Sequence, residues 1–218
     1  MEPVTARIDK GHKVRGIACD HCLPIPGLPA PAASEQLLLF GDVRPVRISA
    51  ELWQSWLNND DVVARFRSKQ YQRSNDACWP WLGAVSSTGH GSFRATSLPG
   101  PSRRGTVPAH LFAYQLAYGV IRRLGFSAIE AVLNHRCDFA GCTNPRHLRL
   151  GTNATNRAEY LARRSNPIGP LADVRGAAGR TRAIAVAIRT GLKSHEDSMS
   201  IERRIEVAER AGRPITLW

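Results

Sequence analysis

The sequence predicts an α+β chain. Three observations point there: apolar residues at helical spacing on either side of a central region, a strand–turn–strand signal inside that region, and a run of cysteines and histidines that follows it. With 218 residues the chain can form one domain with a sizeable core plus appendages. The order of signals divides it into a flexible N-terminal arm (1–48), a helical segment (49–72), a central domain (73–165) and a C-terminal helical tail (166–218).

The arm contains LPIPGLPAPAAS, whose proline and alanine content predicts an extended, solvated linker. Upstream lie Cys19 and Cys22, with His12 and His21 nearby. That grouping is either half of a metal site or a pair of reduced thiols, and no fourth ligand is evident. In the helical segment Ser49 can cap a first helix carrying Leu52, Trp53, Trp56 and Leu57. Asp60 or Asp61 can start a second, with Val62, Val63 and Phe66. The tryptophans read as core.

In the central domain Trp79, Trp81 and Leu82 favour a strand. Gly83 and the run Ser86-Ser87-Thr88-Gly89 make a hairpin turn, and His90 to Thr96 returns with Ser92 and Arg94 on one face. The loop 97–106 is basic. Residues 107–118 form a helix with Leu111, Phe112, Tyr114, Leu116 and Tyr118 largely inward, and His110 reads as a structural histidine. Residues 130–134 form a strand ending at His135, and a helix capped by Thr152 or Asn153 runs to about Arg164. Two further helices are expected near 180–190 and 199–210. They form a DNA-binding module or a pair that packs on the central domain or on a second subunit of a homodimer.

The chemistry concentrates between His135 and Asn156, in the pattern H-x-C-x4-C-x4-H-x8-N. Cys137, Cys142 and His147 are soft or borderline ligands in one short loop. Zinc takes four such ligands in a tetrahedron, and Cys78 is the best candidate for the fourth. His135 and Asn156 are then left for other chemistry.

The run VLNHRCDFAGCTNPRHLRLGTNATN, preceded in order by CWPWLG, GHGSFR and AHLFAYQLAYG, resembles the HNH (His-Me finger, ββα-metal) endonucleases. It is most similar to phage HNH proteins and His-Cys box homing endonucleases. The resemblance covers roughly residues 77 to 160. It implies a zinc-stabilised ββα-metal core and a Mg²⁺-dependent endonuclease acting on double-stranded DNA. His135 would be the general base, and Asn156 a Mg²⁺ ligand. Arg94 is the candidate for holding the phosphate. The products would carry 5′-phosphate and 3′-hydroxyl ends. The family often reads His-Arg-Leu-Ala-Tyr where this chain has His110-Leu111-Phe112-Ala113-Tyr114, so a basic side chain is missing there. The alternative is a zinc-stabilised DNA-binding protein that does not cleave.

Bulk charge agrees with a polyanionic partner: Lys and Arg number 30 against 18 Asp and Glu, a net +12. Arg103, Arg104, Arg146, Arg149 and Arg157 are the candidate phosphate contacts. No apolar run approaches a membrane span, and the N-terminus lacks the apolar core of a signal peptide, so a cytoplasmic location is expected. Five cysteines in such a compartment read as metal ligands rather than disulfides. One further peptide, Gln36-Leu37-Leu38-Leu39-Phe40, resembles the Gln-Leu-x-Leu-Phe segment by which bacterial proteins dock on the replication sliding clamp. There Leu39 and Phe40 would fill an apolar pocket; the competing reading is a buried strand.

Overall fold

Six aromatic rings from four separate stretches of chain meet in one cluster, and the first half of the fold is arranged around them. The structure is a computed structural model that describes residues 48–98, 105–121, 131–166 and 169–214. These all fall in the unit Arg47–Trp218. The Cys19/Cys22 pair, the Gln36–Phe40 peptide, Arg103 and Arg104 lie outside the described residues.

Helix α1 (Ala50–Leu57) is capped by Ser49, whose side chain accepts from the Leu52 amide. Helix α2 (Asp60–Arg67) starts at Asp60, as the sequence suggests, with Asn59 as its cap and Asp60 and Asp61 in its first turn. Trp53, Trp56 and Phe66 from these helices pack with Trp81, Phe93 and Phe112. Phe66 sits at the centre, with ring centroids 5.2 Å from Trp81 and Phe93 and 4.7 Å from Phe112. Burying rings of this size contributes about 1.5–3 kcal/mol each.

Strands β1 (Ala84–Val85), β2 (Gly91–Arg94) and β3 (Thr106–Pro108) form a three-stranded antiparallel sheet in that order. Phe93 pairs with Val107 and Arg94 with Thr106. Alternation puts Phe93 into the core and leaves Ser92 and Arg94 on the other face. Residues 79–82, expected as a strand, make only isolated bridges, Gln70 with Trp81 and Pro80 with Cys142. Their backbone is occupied elsewhere: the Trp81 amide donates to Gly141 O at 2.9 Å, and the Thr143 amide donates to Trp79 O at 2.8 Å. Helix α3 (Ala109–Tyr118) follows β3 directly and buries Phe112 and Ala113.

Strands β4 (Ala131–His135) and β5 (Leu148–Thr152) pair antiparallel, with His135 opposite Leu148. A short 3₁₀ turn (Pro145–His147) lies between them, and helix α4 (Asn153–Arg163) follows. Thr152 and Thr155 close a reciprocal cap at its start.

The last two helices, α5 (Gly176–Lys193) and α6 (Ser198–Arg210), are not appended as a tail. Ile184, Ile188, Ile201 and Ile205 form a second core with Phe139 and Cys142 of the Cys/His loop. Of the alternatives left open for this pair, packing on the central domain is the one observed. The Thr181 hydroxyl, 1 % exposed, donates to Gly89 O at 2.9 Å and to Ala177 O at 3.0 Å. Gly89 has φ +87°, and a Cβ there would lie 2.7 Å from the Ala177 backbone, so only glycine lets this turn meet α5. No helix among the described residues is long and apolar enough to cross a membrane.

Asp173, just before α5, joins both helices. Its side chain is 1 % exposed and receives Arg175 Nε at 2.9 Å, Arg175 Nη2 at 2.6 Å and Arg180 Nη1 at 3.5 Å. Arg175 also donates to Ala208 O, and Arg180 to Glu209, both on α6. Burial pushes the Asp173 carboxyl up, but the Arg175 hydrogen bonds and the two guanidinium charges hold it below its ordinary value. A depressed carboxyl stabilises the fold above its unfolded pKa of about 3.9 and loses that contribution as pH falls through the folded value. Asp173→Ala is expected to cost about 3–5 kcal/mol at neutral pH, since it leaves two partly buried cations unpaired. Chemical denaturation should show this loss, and the gap to wild type should narrow below about pH 4.

Candidate metal centre and adjoining cleft

The loop between β4 and β5 is a string of local hydrogen bonds that turns its ligands inward. Asp138 takes the left-handed conformation, φ 55°, which aspartate tolerates better than most residues. The His135 strand end continues to Arg136, whose amide donates to His147 O at 2.8 Å. Asn144 is fully buried and makes the decisive contacts. Its Nδ2 donates to Asn75 O and Ala77 O, each at 2.8 Å, and its Oδ1 accepts from the Arg146 amide at 3.0 Å. One side chain therefore fastens the segment leading to Cys78 onto the turn that carries His147. Thr143 adds a second link, donating to Trp79 O at 2.8 Å.

The result is a cluster of Cys78, Cys137, Cys142 and His147 whose ligand atoms all lie within 4.8 Å of one another. The His147 Nδ1 is 3.5 Å from Cys78 Sγ and 3.7 Å from Cys142 Sγ. Around a tetrahedral zinc, with bonds of about 2.3 Å to sulfur and about 2.0 Å to nitrogen, such edges come to roughly 3.5–3.8 Å. The four residues named from the sequence can thus hold a metal such as zinc, with Cys78 as the fourth ligand. Hydrogen bonds from Cys142 and Cys78 hold Cys137 far below the ordinary thiol range, while its bonds to the other two push Cys78 up. Burial pushes Cys142 up to about 12. Deprotonating all three sulfurs this close together requires a cation among them.

Beside this cluster opens a cleft of about 550 Å³, whose walls include His90, His135, Asp138, Asn156, Arg157 and Arg163. The structure therefore brings His135 and Asn156 together, from strand β4 and helix α4. His135 Nε2 lies 3.0 Å from Cys142 O. A carbonyl only accepts, so Nε2 carries the proton and Nδ1 keeps the lone pair. Burial lowers the His135 pKa, partly opposed by the Cys137 charge, the Cys142 carbonyl and Asp138. The ring is accordingly neutral near physiological pH.

Two histidines surround His135. His110 lies with its ring centroid 4.9 Å away, and His90 lies 5.5 Å away and 4.8 Å from His110. His110 is the deeper of the two, does not line the cleft, and is held well below its ordinary pKa by burial, then by His135 and His90. It packs against the other two rings, with its Nδ1 buried and without a hydrogen-bond partner, so it is not the satisfied histidine expected from the sequence. His90 lines the cleft and was not singled out from the sequence, where it is only a histidine between two glycines. Asn144 was missed for a similar reason: a polar loop residue gives no sign of burial.

The arginines divide. Arg157 lines the cleft, while Arg94 is exposed and is not among the lining residues. Arg149 pairs with Glu159, and Arg163 pairs with Asp138 at 2.8 Å and with Glu159 at 3.5 Å. Arg146 is exposed beside the metal cluster. Asn134, just before His135, is 2 % exposed, and both polar atoms of its side chain lack a hydrogen-bond partner.

Comparisons with protein-family models, with curated proteins and with solved structures found no match to this chain.

Because metal-binding free energy is folding free energy at such a site, Cys137→Ser is expected to remove one bound metal ion per chain and to lower the melting temperature markedly. Asn144→Ala should keep all four ligands but cost about 2–4 kcal/mol, since it strips partners from buried backbone groups. Elemental analysis with thermal melting of both variants checks this pair of outcomes.

Proposed function

We propose that the chain is a metal-dependent DNA endonuclease, with His135 as general base and zinc in the Cys78–Cys137–Cys142–His147 cluster. One observation carries this reading: His135 and Asn156 line one cleft, and the Cys142 carbonyl leaves His135 with a lone pair on Nδ1. The antiparallel pair β4–β5, the Cys/His loop between them and helix α4 after them agree with the ββα-metal order that the sequence resemblance implies.

The cleft also offers hard oxygen donors of the kind Mg²⁺ prefers. Asn156 would hold the ion. When bound, Mg²⁺ neutralises charge on the scissile phosphate and on the departing 3′ oxygen. His135 Nδ1 takes a proton from water, and that water attacks phosphorus as the 3′ oxygen leaves, giving 5′-phosphate and 3′-hydroxyl ends. A neutral imidazole suits this role, and the low pKa of His135 keeps it in the accepting form. Arg157 supplies positive charge inside the cleft. The closed four-ligand cluster has no open position for water, so zinc acts on structure alone.

His135→Ala and Asn156→Ala are each expected to lower plasmid cleavage in Mg²⁺ by about 10²–10⁴-fold, with melting temperature and DNA affinity nearly unchanged. A protein that binds DNA without cleaving it, before and after EDTA, would instead establish the non-catalytic alternative. DNA affinity should also fall steeply with salt, about a thousandfold between roughly 50 and 200 mM if six phosphates are neutralised. Equilibrium binding over that range reads it directly.

A further inference from the structure

The three-histidine cluster is more than the base and its packing. His90 and His135 both line the cleft, whereas His110 stands behind them. His90 follows a turn held from two sides. The Gly89 carbonyl accepts from Thr181 at 2.9 Å, and the His90 carbonyl accepts from the Ser86 amide at 2.9 Å. No Cβ is tolerated at Gly89. The backbone that presents this imidazole is therefore fixed in advance, as a group that stabilises developing charge must be.

Its ring is also oriented. Ser86 Oγ lies 2.9 Å from Thr88 Oγ1, which lies 3.0 Å from His90 Nδ1. The relay can run toward the ring, Ser86 to Thr88 to Nδ1, which places the imidazole proton on Nε2; run the other way, it places the proton on Nδ1. His135 has its proton on Nε2 as well, but spends it on the Cys142 carbonyl. With the relay running toward the ring, the two rings have opposite capacities. His135 retains an accepting Nδ1, and His90 retains a donating Nε2–H.

We propose that His90 is a second catalytic residue, whose Nε2–H donates to a non-bridging oxygen of the scissile phosphate while His135 deprotonates the water. This rests on the endonuclease reading. The spacing suits it: ring centroids 5.5 Å apart leave room for one ring to serve the water and the other the phosphate. In near-attack geometry water stands about 3–3.5 Å from phosphorus. Burial and His135 push the His90 pKa down to about 4, so His90 works as a neutral donor and not as a cation. The role expected of Arg94 falls to a residue four positions earlier, since Arg94 is exposed and outside the cleft lining.

The test combines variants with substrate substitution. Single-turnover cleavage of a duplex carrying one phosphorothioate at the cut, as separate Rp and Sp forms, is compared for wild type, His90→Ala, His90→Gln and Arg94→Ala. DNA affinity is measured in the His135→Ala background. Removing one preorganised donor typically costs about 10²–10³-fold in rate. His90→Ala should show that loss with affinity unchanged, and His90→Gln should recover part of it. One diastereomer should slow wild type, yet add little to the slowing in His90→Ala, because substitution and sulfur remove the same contact. A merely structural role would leave the sulfur effect identical in both proteins. Arg94→Ala should leave the sulfur effect as large as in wild type. If His90→Ala lowers the melting temperature, the same comparison is made with His90→Gln. Wild-type cleavage by the His90 variants, or equal sulfur effects for both diastereomers, overturns the proposal while the endonuclease reading survives. Absence of cleavage by wild type overturns both.

Discussion

The convergence of Cys78 on Cys137, Cys142 and His147 is the constraint on which the remaining structure depends. The ligands come from segments far apart in sequence, and the intervening chain contributes β1–β3, α3 and β4. Closing so long a loop carries a large entropy cost that the short local strands cannot offset alone. Strand β1 has 2 residues and β3 has 3, lengths that form no independent sheet. The Cys/His cluster, the buried Asn144 latch and the Trp81–Gly141 backbone contact lie at the same junction. They fasten the aromatic core to the Cys/His loop, so the two halves of the cleft share one anchor.

That anchor is enclosed by the C-terminal helices. Ile184, Ile188, Ile201 and Ile205 shield the cluster from one side, with Cys142 fully buried among them and Cys78 and Cys137 at the margin. Arg73 reaches across to Glu202 on α6 with Nε 2.8 Å from the carboxylate, which ties the strand-side segment to the helical pair. Arg180 crosses over the Phe139 ring at 5.6 Å while pairing with Asp173 and Glu209. Apolar enclosure and low water access favour ligation by thiolates, whose charges are then compensated within the cluster. The same helices, through Thr181 and Ala177, also brace the turn of His90. One packing interface therefore supports both the metal loop and the opposite wall of the cleft.

Much of this was legible in the sequence where the residue type itself carries the signal. Cysteine and histidine at ligand spacing named Cys137, Cys142 and His147, and the need for a fourth ligand pointed to Cys78 as the best remaining candidate. Capping residues such as Ser49 and Thr152 marked helix starts correctly, since a side-chain oxygen at that position satisfies a specific amide. Periodicity found α5 and α6 but not where they pack, because an apolar stripe says that a face is buried and not against what. His90 and Asn144 were invisible for a related reason: their roles follow from tertiary contacts with α5 and with residues 75–77. The strand expected at 79–82 failed because its backbone pairs with the Cys/His loop instead of with a neighbouring strand. Arg94, the phosphate contact expected from GHGSFR, lies on the exposed face of its strand and is not among the residues lining the cleft.

The Cys142 residue links structure to chemistry through two atoms. Its sulfur belongs to the metal cluster, and its carbonyl oxygen receives the His135 proton at 3.0 Å. The two atoms hang from one Cα, so the residue that belongs to the cluster is also the one that accepts from His135. The metal loop therefore determines which nitrogen of His135 is basic without touching that nitrogen. Loss of the metal would release the carbonyl, allow the other tautomer and turn a base into a donor. In the proposed reaction, then, zinc would govern catalysis at one remove, by fixing a hydrogen bond and not by activating water.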